Sequence, residues 1–482
     1  MSLDIKKQEG ELLHGPEINT IATAINANDD SVNKPAYSLS NDDFQVDNKN
    51  ISLTPEAGGM YFYGTQFVGD GSETNPFRIN PNLLDGNNPG VIVEQLITGC
   101  NYNNSPYTIR SPDFESVSFY SKRTMFVASK ELRFEWANNS NSVTDVYRDR
   151  VGLNNITIKA SVKHNGITYP INFSGVRSKT LVPGEIVKSD IVNLEVRAND
   201  QIQIIVYVTV PAGGEIPVNR TTVNNNGEGF ADFPRNVDYT DGGTPGQIIG
   251  STIFDCTGIY GKPLSSNTDV VLLMGDSIMS GYGSNTPIRN HFERALASLK
   301  IPYFNISLSG DKAIYFNSTT YSSERRKHIT VGKFTTIFSN YGTNDIQNGG
   351  DSGTDTINSL KALFTAIKAL VGGTNKLYQT TLFPKTNSIN NWTNGAGQSF
   401  VKESPRVQVN TFVRTTPTPL TGFIDVNSEV ETNINNVLTL NGGYWATNGT
   451  PNYSTTDGVN PSDNTYQIVG NAIKPFLSTI LS

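Results

Sequence analysis

Between residues 129 and 210 apolar and polar positions alternate along the chain with a period of two. Leu132, Phe134 and Trp136 share one face, Ile156, Ile158, Ala160 and Val162 repeat the pattern, and Val192, Leu194 and Val196 repeat it again. Alternation of this kind marks strands with one buried face. Residues 202–210 are almost continuously apolar, as in a central strand, and His164-Asn165-Gly166 supplies a tight turn between two of the runs. The spacing predicts an antiparallel, jelly-roll-like β-sandwich over residues 105–240, followed by an Asn- and Gly-rich linker at 224–250.

From Asp269 the period lengthens. A short apolar run at 270–274 precedes a helical face of Ile288, Phe292, Ala295, Leu296 and Leu299. Runs at 334–340 and 376–383 read as further strands. Between them Ile357, Leu360, Leu363, Phe364, Ile367, Leu370 and Val371 form an amphipathic helix stopped by Gly372-Gly373. A last helix begins near Ser462 and presents Tyr466, Val469, Ile473, Phe476 and Ile480. Strands alternating with helices predict an α/β domain over 241–482, a parallel sheet between two helical layers, with reactive groups at the carboxyl ends of its strands.

Residues 1–104 show little periodicity. Ile18, Ile21, Ala22 and Ile25 line one short helix, and the stretch 68–77 is turn chemistry. Such a segment buries too little to order itself, so it reads either as a chain end laid along the main body or as an attachment arm ordered by neighbouring subunits. In style it resembles the N-terminal anchoring parts of phage fibre and tail proteins, which implies a homo-oligomer, a trimer for instance, or assembly into a virion.

Composition narrows the function classes. A net charge of −7 argues against general nucleic-acid binding. The basic run Arg325-Arg326-Lys327 reads as a solvated face. His14, His164, His291 and His328 make no metal motif, and no cofactor is expected. Cys100 and Cys256 leave room for one disulfide but for no disulfide framework. The first ten residues lack an apolar core, so no signal peptide is expected, and no run is long enough to span a bilayer. The expected location is a virion or other extracellular surface reached without a cleaved leader, or else the cytoplasm.

Four short blocks carry the candidate chemistry. Gly275-Asp276-Ser277 ends the first strand of the α/β part, and Asn305-Ile-Ser-Leu-Ser-Gly310-Asp311 ends the second. Tyr341-Gly342-Thr343-Asn344-Asp345 ends the third, and Asp457-Gly458-Val459-Asn460-Pro461-Ser462 precedes the last helix. In this order they resemble the SGNH (GDSL) hydrolases, with Ser277, Gly310 and Asn344 matching block by block. Phrases at 171–175, 187–190, 381–384 and 406–410, together with Asp425, resemble a branch of that family with a preceding β-sandwich. The resemblance implies a three-layer α/β/α domain and hydrolysis of esters, above all O-acetyl groups on carbohydrate. Ser277 would attack the carbonyl, and the N–H groups of Ser277 and Gly310 with the Asn344 amide would hold the oxyanion. Asp457 would orient the base. Asp276 and Asp345 read as loop-stabilising acceptors, and Asp425 as a structural residue at a strand end.

One position departs from the pattern. Three residues after the aspartate the family carries histidine, and this chain carries Asn460. An amide has no basic lone pair at neutral pH, so the enzymatic status of the chain is open: a hydrolase framework short of its base, or a glycan-binding or structural component of a virion. No other histidine is placed to substitute. His328 precedes the third strand at its amino end, and His291 lies about three turns after Ser277, partly exposed. Tyr282, Tyr444, Trp445 and Tyr453 flank the blocks and serve either as sugar-stacking platforms or as packed core.

Overall fold

A computed structural model describes residues 92–481, apart from short breaks at 103–107, 111–114, 143–147, 221–226, 234–235, 251, 287–288, 349–351 and 373, together with three short strands between 60 and 79. The chain divides into two compact units, Met1–Val93 and Glu94–Ser482. In the first, Met60–Phe62, Thr65–Val68 and Arg78–Ile79 form a three-stranded antiparallel sheet. The helix expected at 18–25 and most of the 68–77 turn lie outside the described residues.

The second unit is mixed α/β, with antiparallel sheets and one parallel sheet. In the larger antiparallel sheet the apolar strand Gln201–Thr209 is central, between Ile156–His164 and Ser116–Thr124. Asn165 and Gly166 take φ of 49° and 81°, the turn expected of that Asn-Gly pair, and bring His164 opposite Ile167. Ser129–Ala137 belongs to a second antiparallel sheet, and its Leu132, Phe134 and Trp136 are fully buried. Val192, Leu194 and Val196 are buried too, but they form no regular strand. Val192 and Val196 make isolated bridges to Leu132 and Ser129, and the Leu194 N–H turns back to the Val192 carbonyl at 2.7 Å. Alternating burial therefore arises here from a tight turn rather than from a ladder.

The parallel sheet has six strands, numbered along the chain: β1 (Gly99–Asn101), β2 (Val271–Met274), β3 (Tyr303–Asn305), β4 (Thr336–Ser339), β5 (Lys376–Thr380) and β6 (Gly422–Ile424). Their order is β6-β5-β4-β2-β3-β1, with every neighbouring pair parallel. After β2 the chain moves to one side for β3 and returns to the other side for β4, so the order reverses at the carboxyl end of β2, where α/β sheets place their ligands. Hydrogen bonding crosses the expected boundaries at both ends of the antiparallel region. The edge strand β1 comes from before it, and Gly258–Pro263 pairs with Ser129–Ala137 inside it.

The helices are α1 (His291–Leu299), α2 (Ala313–Asn317), α3 (Ser323–Val331), α4 (Thr343–Asn348), α5 (Gly353–Val371), α6 (Glu403–Arg414) and α7 (Asp463–Ile480). They fall into two groups: α1 packs on α7, and α5 packs on α2, α3 and α6. Local chemistry fixes their starts. Asn290 accepts from the Glu293 N–H at 3.0 Å, Ser352 and Asp355 close a capping box, and Ser462 accepts from the Thr465 N–H at 3.2 Å.

The basic run at 325–327 is not a solvated face. Arg325 is fully buried, Arg326 is half-buried, and Lys327 alone is exposed. Arg325 donates to Asp149 at 2.6 Å and to Asp311 at 2.5 Å, all three side chains being inaccessible. Burial works against its charge, and the two carboxylates overcome that, raising its pKa. Cys100 and Cys256 are both buried free thiols, and burial pushes the Cys100 pKa up to about 11.

Candidate active site

The turn after β2 is built to present Ser277. Asn340, at the end of β4, clasps it: the Asp276 N–H donates to Asn340 Oδ1 at 3.2 Å, and Asn340 Nδ2 donates back to Asp276 Oδ1 at 3.1 Å. A side chain at Gly275 would put its Cβ 1.5 Å from Asn340 Oδ1, so only glycine fits the clasp. Asp276 Oδ1 also accepts from the Ile278 N–H at 2.9 Å, while Oδ2 is buried without a partner among the described residues. Burial pushes the Asp276 carboxyl up to about 7 against those two donors, and the charges of Asp345 and Asp311 add to the rise. Beyond Ser277 the turn hangs on Tyr466 of α7, whose hydroxyl donates to the carbonyls of Ile278 at 3.1 Å and Tyr282 at 3.0 Å.

The second and third blocks close on this turn. The Leu308 N–H donates to the Gly275 carbonyl at 3.0 Å, and the hydroxyls of Ser280 and Ser309 meet at 2.9 Å, with Ser280 also bonded to the Ser277 carbonyl at 3.0 Å. Gly310 follows directly with φ of 82°, a left-handed conformation that favours glycine. Asn344 Nδ2 donates to the Asp311 carbonyl at 3.0 Å, joining the third block to the second. Among the described residues, the backbone N–H groups of Ser277 and Gly310 have no internal acceptor. Asp345 accepts from the N–H groups of Ala313 at 3.0 Å and Ile314 at 3.3 Å, and burial raises its carboxyl to about 6.

The fourth block brings Asn460 to the serine. Ser277 Oγ donates to Asn460 Oδ1 at 2.8 Å, and Asn460 Nδ2 donates to Asp457 Oδ2 at 2.8 Å. Asp457 Oδ1 also receives the Asn460 N–H at 2.7 Å, and Thr455 Oγ1 donates to the Asn460 carbonyl at 2.7 Å. Gly458, with φ of 78°, has its carbonyl held by Trp445 Nε1 and the Thr386 N–H, each at 3.1 Å. Trp445 is therefore core, fully buried and stacked on Phe383, whereas Tyr282 is exposed and Tyr444 and Tyr453 are half-buried.

The histidines stand elsewhere. His291, expected to be partly exposed, is fully buried, because the first residue of α1 is enclosed between Tyr466, stacked at 6.0 Å, and Phe383, edge-on at 5.7 Å. Among the described residues neither ring nitrogen has a partner, and burial, with the charge of Arg294, lowers its pKa to about 3. His328 lies 3.4 Å from Glu135 in the antiparallel region, and His164 bonds Asp200 at 3.0 Å. Asp425 accepts from Thr381 at 3.1 Å and Arg414 at 2.9 Å, a structural tie. Among the described residues no group of three or more His, Cys, Asp or Glu side chains is placed to hold a metal ion, and no helix is long and apolar enough to cross a membrane.

The five residues singled out by the motifs thus lie in four blocks tied to one another at one rim of the sheet. The polar roles of Asn340, Tyr466, Thr455 and Trp445, and the lysine Lys385, were not legible in the sequence, although Tyr466 reads there as part of the last helix's apolar face and Trp445 as a stacking platform or packed core. The first four act through polar atoms on residues that read as strand, helix or turn, and Lys385 lies outside the blocks.

No family model and no curated protein matches the chain. Among solved structures it is similar to a family two carbohydrate esterase from Clostridium thermocellum in complex with cellohexaose, 12% identical over 80% of this chain and 98% of that one, TM-score 0.31. It is also similar to a carbohydrate acetylesterase family member from Sinorhizobium meliloti, 14% identical over 44% and 98%, TM-score 0.32, and to the native M. smegmatis aryl esterase, 14% identical over 44% and 99%, TM-score 0.31. At such low scores none of these likenesses bears on chemistry, which is read from strand order and site geometry alone.

Proposed function

We propose that this chain is a serine ester hydrolase of the SGNH/GDSL type from which the general base has been removed, so that it holds an acyl ester, borne on carbohydrate, and turns it over slowly or not at all. The observation that carries this reading is the chain of two 2.8 Å hydrogen bonds from Ser277 through Asn460 to Asp457. A neutral histidine in that place would accept from the serine through one ring nitrogen and donate to the carboxylate through the other. Asn460 reproduces both bonds and lacks the basicity. It orients the Ser277 hydroxyl and cannot take its proton when the Oγ–carbonyl bond forms.

The remaining parts suit acyl transfer. The N–H groups of Ser277 and Gly310, with the Asn344 amide as a third donor, would receive the oxyanion. Retention of these donors without a base also favours a second reading, in which the site recognises an acylated glycan and releases it intact.

Asn460→His tests the proposal. It is expected to raise hydrolysis of p-nitrophenyl acetate by roughly 10²–10⁴, and Ser277→Ala in that background is expected to abolish the gain. If the histidine brings no gain, the hydrolase reading is wrong.

A further inference from the structure

Lys385 stands in the segment that joins two of the site's blocks. Leu382, three residues before it, packs over the third block, where a Cβ on Gly342 would lie 3.1 Å from the Leu382 side chain. The next residue, Thr386, donates its N–H to the Gly458 carbonyl of the Asn460 loop at 3.1 Å. Lys385 itself is only 7% exposed, yet among the described residues its ammonium has neither an ion-pair nor a hydrogen-bond partner. The side chain is sunk along its stem while the ammonium at its tip reaches solvent, so the charge faces outward with no protein partner among the described residues. Here the charge that acts on it is another cation, Lys402, and burial together with that repulsion lowers the Lys385 pKa to about 8.

Lys402 is anomalous in its own right. Its neighbour Val401 donates to the Lys385 carbonyl at 3.0 Å, which fixes the two lysine-bearing segments side by side. It is the N-cap of α6 with φ of 56°, and it makes no capping hydrogen bond. Lysine is disfavoured at a helix N-terminus, where the dipole is positive, and a left-handed φ is uncommon for it. The nearby acids are already engaged, because Glu403 and Glu431 both pair with buried Arg406. Two residues before Lys402, Phe400 is 49% exposed and packs 4.6 Å from the Tyr444 ring, an aromatic surface of the sort sugar rings stack on.

We infer that Lys385 and Lys402, with the N-terminus of α6, form an anion subsite beside the serine, and that it receives an acidic group, carboxylate or sulfate ester, carried on the saccharide the site binds. The inference rests on the proposed function for the saccharide, and on the lysine pair for the charge. On a protein of net charge −7, two neighbouring cations with no carboxylate partner among the described residues make this rim locally favourable to an acidic ligand.

The test is calorimetric titration of the full chain with an oligogalacturonate, its methyl ester and a sulfated galactan oligosaccharide. The wild-type protein is expected to bind one of the acidic sugars at least about tenfold tighter than the neutral ester, and the one preferred identifies the acidic group. Lys385→Met and Lys402→Gln should each shrink that preference to less than about threefold, whereas Lys385→Arg and the remote Lys361→Gln should retain it. Equal affinity for acid and ester, no binding of any of the three, or a preference that survives both lysine replacements would overturn the inference. Its fate separates from that of the hydrolase reading. A gain of esterase activity in Asn460→His without acid preference sinks the subsite alone, and acid preference without that gain sinks the hydrolase alone.

Discussion

The amide of Asn460 has one favourable orientation. With Nδ2 toward Asp457 it donates to a carboxylate, and with Oδ1 toward Ser277 it accepts a hydroxyl proton. The reverse would set two oxygens face to face. That geometry was foreshadowed by spacing, because three residues from aspartate to the missing histidine suffice to place both groups on one loop. Asn340 could not be found that way, since its importance lies in clasping Asp276, a partner 64 residues away in the chain. The clasp leads to a pH prediction. Buried Asp276 titrates near 7 in the folded protein against an ordinary value of 3.8, so between those values the folded state holds a proton that the unfolded state has released. Its contribution to stability is fully present below 3.8 and is lost as pH rises through about 7. The wild-type melting temperature is therefore expected to fall relative to that of Asp276→Asn as pH is raised across this window. A constant difference between the two would refute the assignment.

Among the elements, periodicity located the strands and helices of the α/β part well, because each buries one face. It failed where burial and ladder part company, as at Val192 to Val196, and it could not show that a short run at 99–101 supplies the edge strand β1. The loop that delivers Asn460 is an element of its own, with no regular structure and four anchors: Thr386, Thr455, Trp445 and Asp457. Its tightest point is Gly458, where a Cβ would lie 1.8 Å from the Thr386 carbonyl oxygen at a φ of 78°. Gly458→Ala is expected to cost about 1–3 kcal/mol in strain and, in the Asn460→His background, to remove at least about nine-tenths of the esterase activity gained, since misplacing a base by an ångström costs on that order or more. Undiminished activity would show that the loop does not set the base.

Over the second compact unit, a buried ion triad ties the antiparallel region to the parallel-sheet region. Asp149, on the strand Arg148–Val151, takes both the guanidinium of Arg325 and its backbone N–H, at 2.6 and 2.7 Å, and Arg325 passes on to Asp311 of the second block. A basic triplet in sequence looks like a wet surface, and only tertiary structure distinguishes the one arginine that is not. Removing Asp149 leaves the Nε and backbone N–H of Arg325 buried without acceptors while Asp311 still balances the charge, so Asp149→Ala is expected to cost about 1–3 kcal/mol for each unpaired group in urea unfolding. A loss below about 1 kcal/mol would mean that water reaches the triad and that the two regions are not locked together by it.

If the serine, its oxyanion donors and its orienting carboxylate stand ready and basicity alone is missing, the state of Ser277 itself reports it. The rate at which a fluorophosphonate modifies Ser277, followed by intact mass and peptide mapping, reads that state, because this reagent needs an activated serine and no knowledge of the natural ester. Slow labelling is expected of the wild-type chain, and labelling at least about a hundredfold faster in Asn460→His, confined to Ser277. Equal rates in the two proteins, or modification at another residue, would contradict a site that lacks only its base.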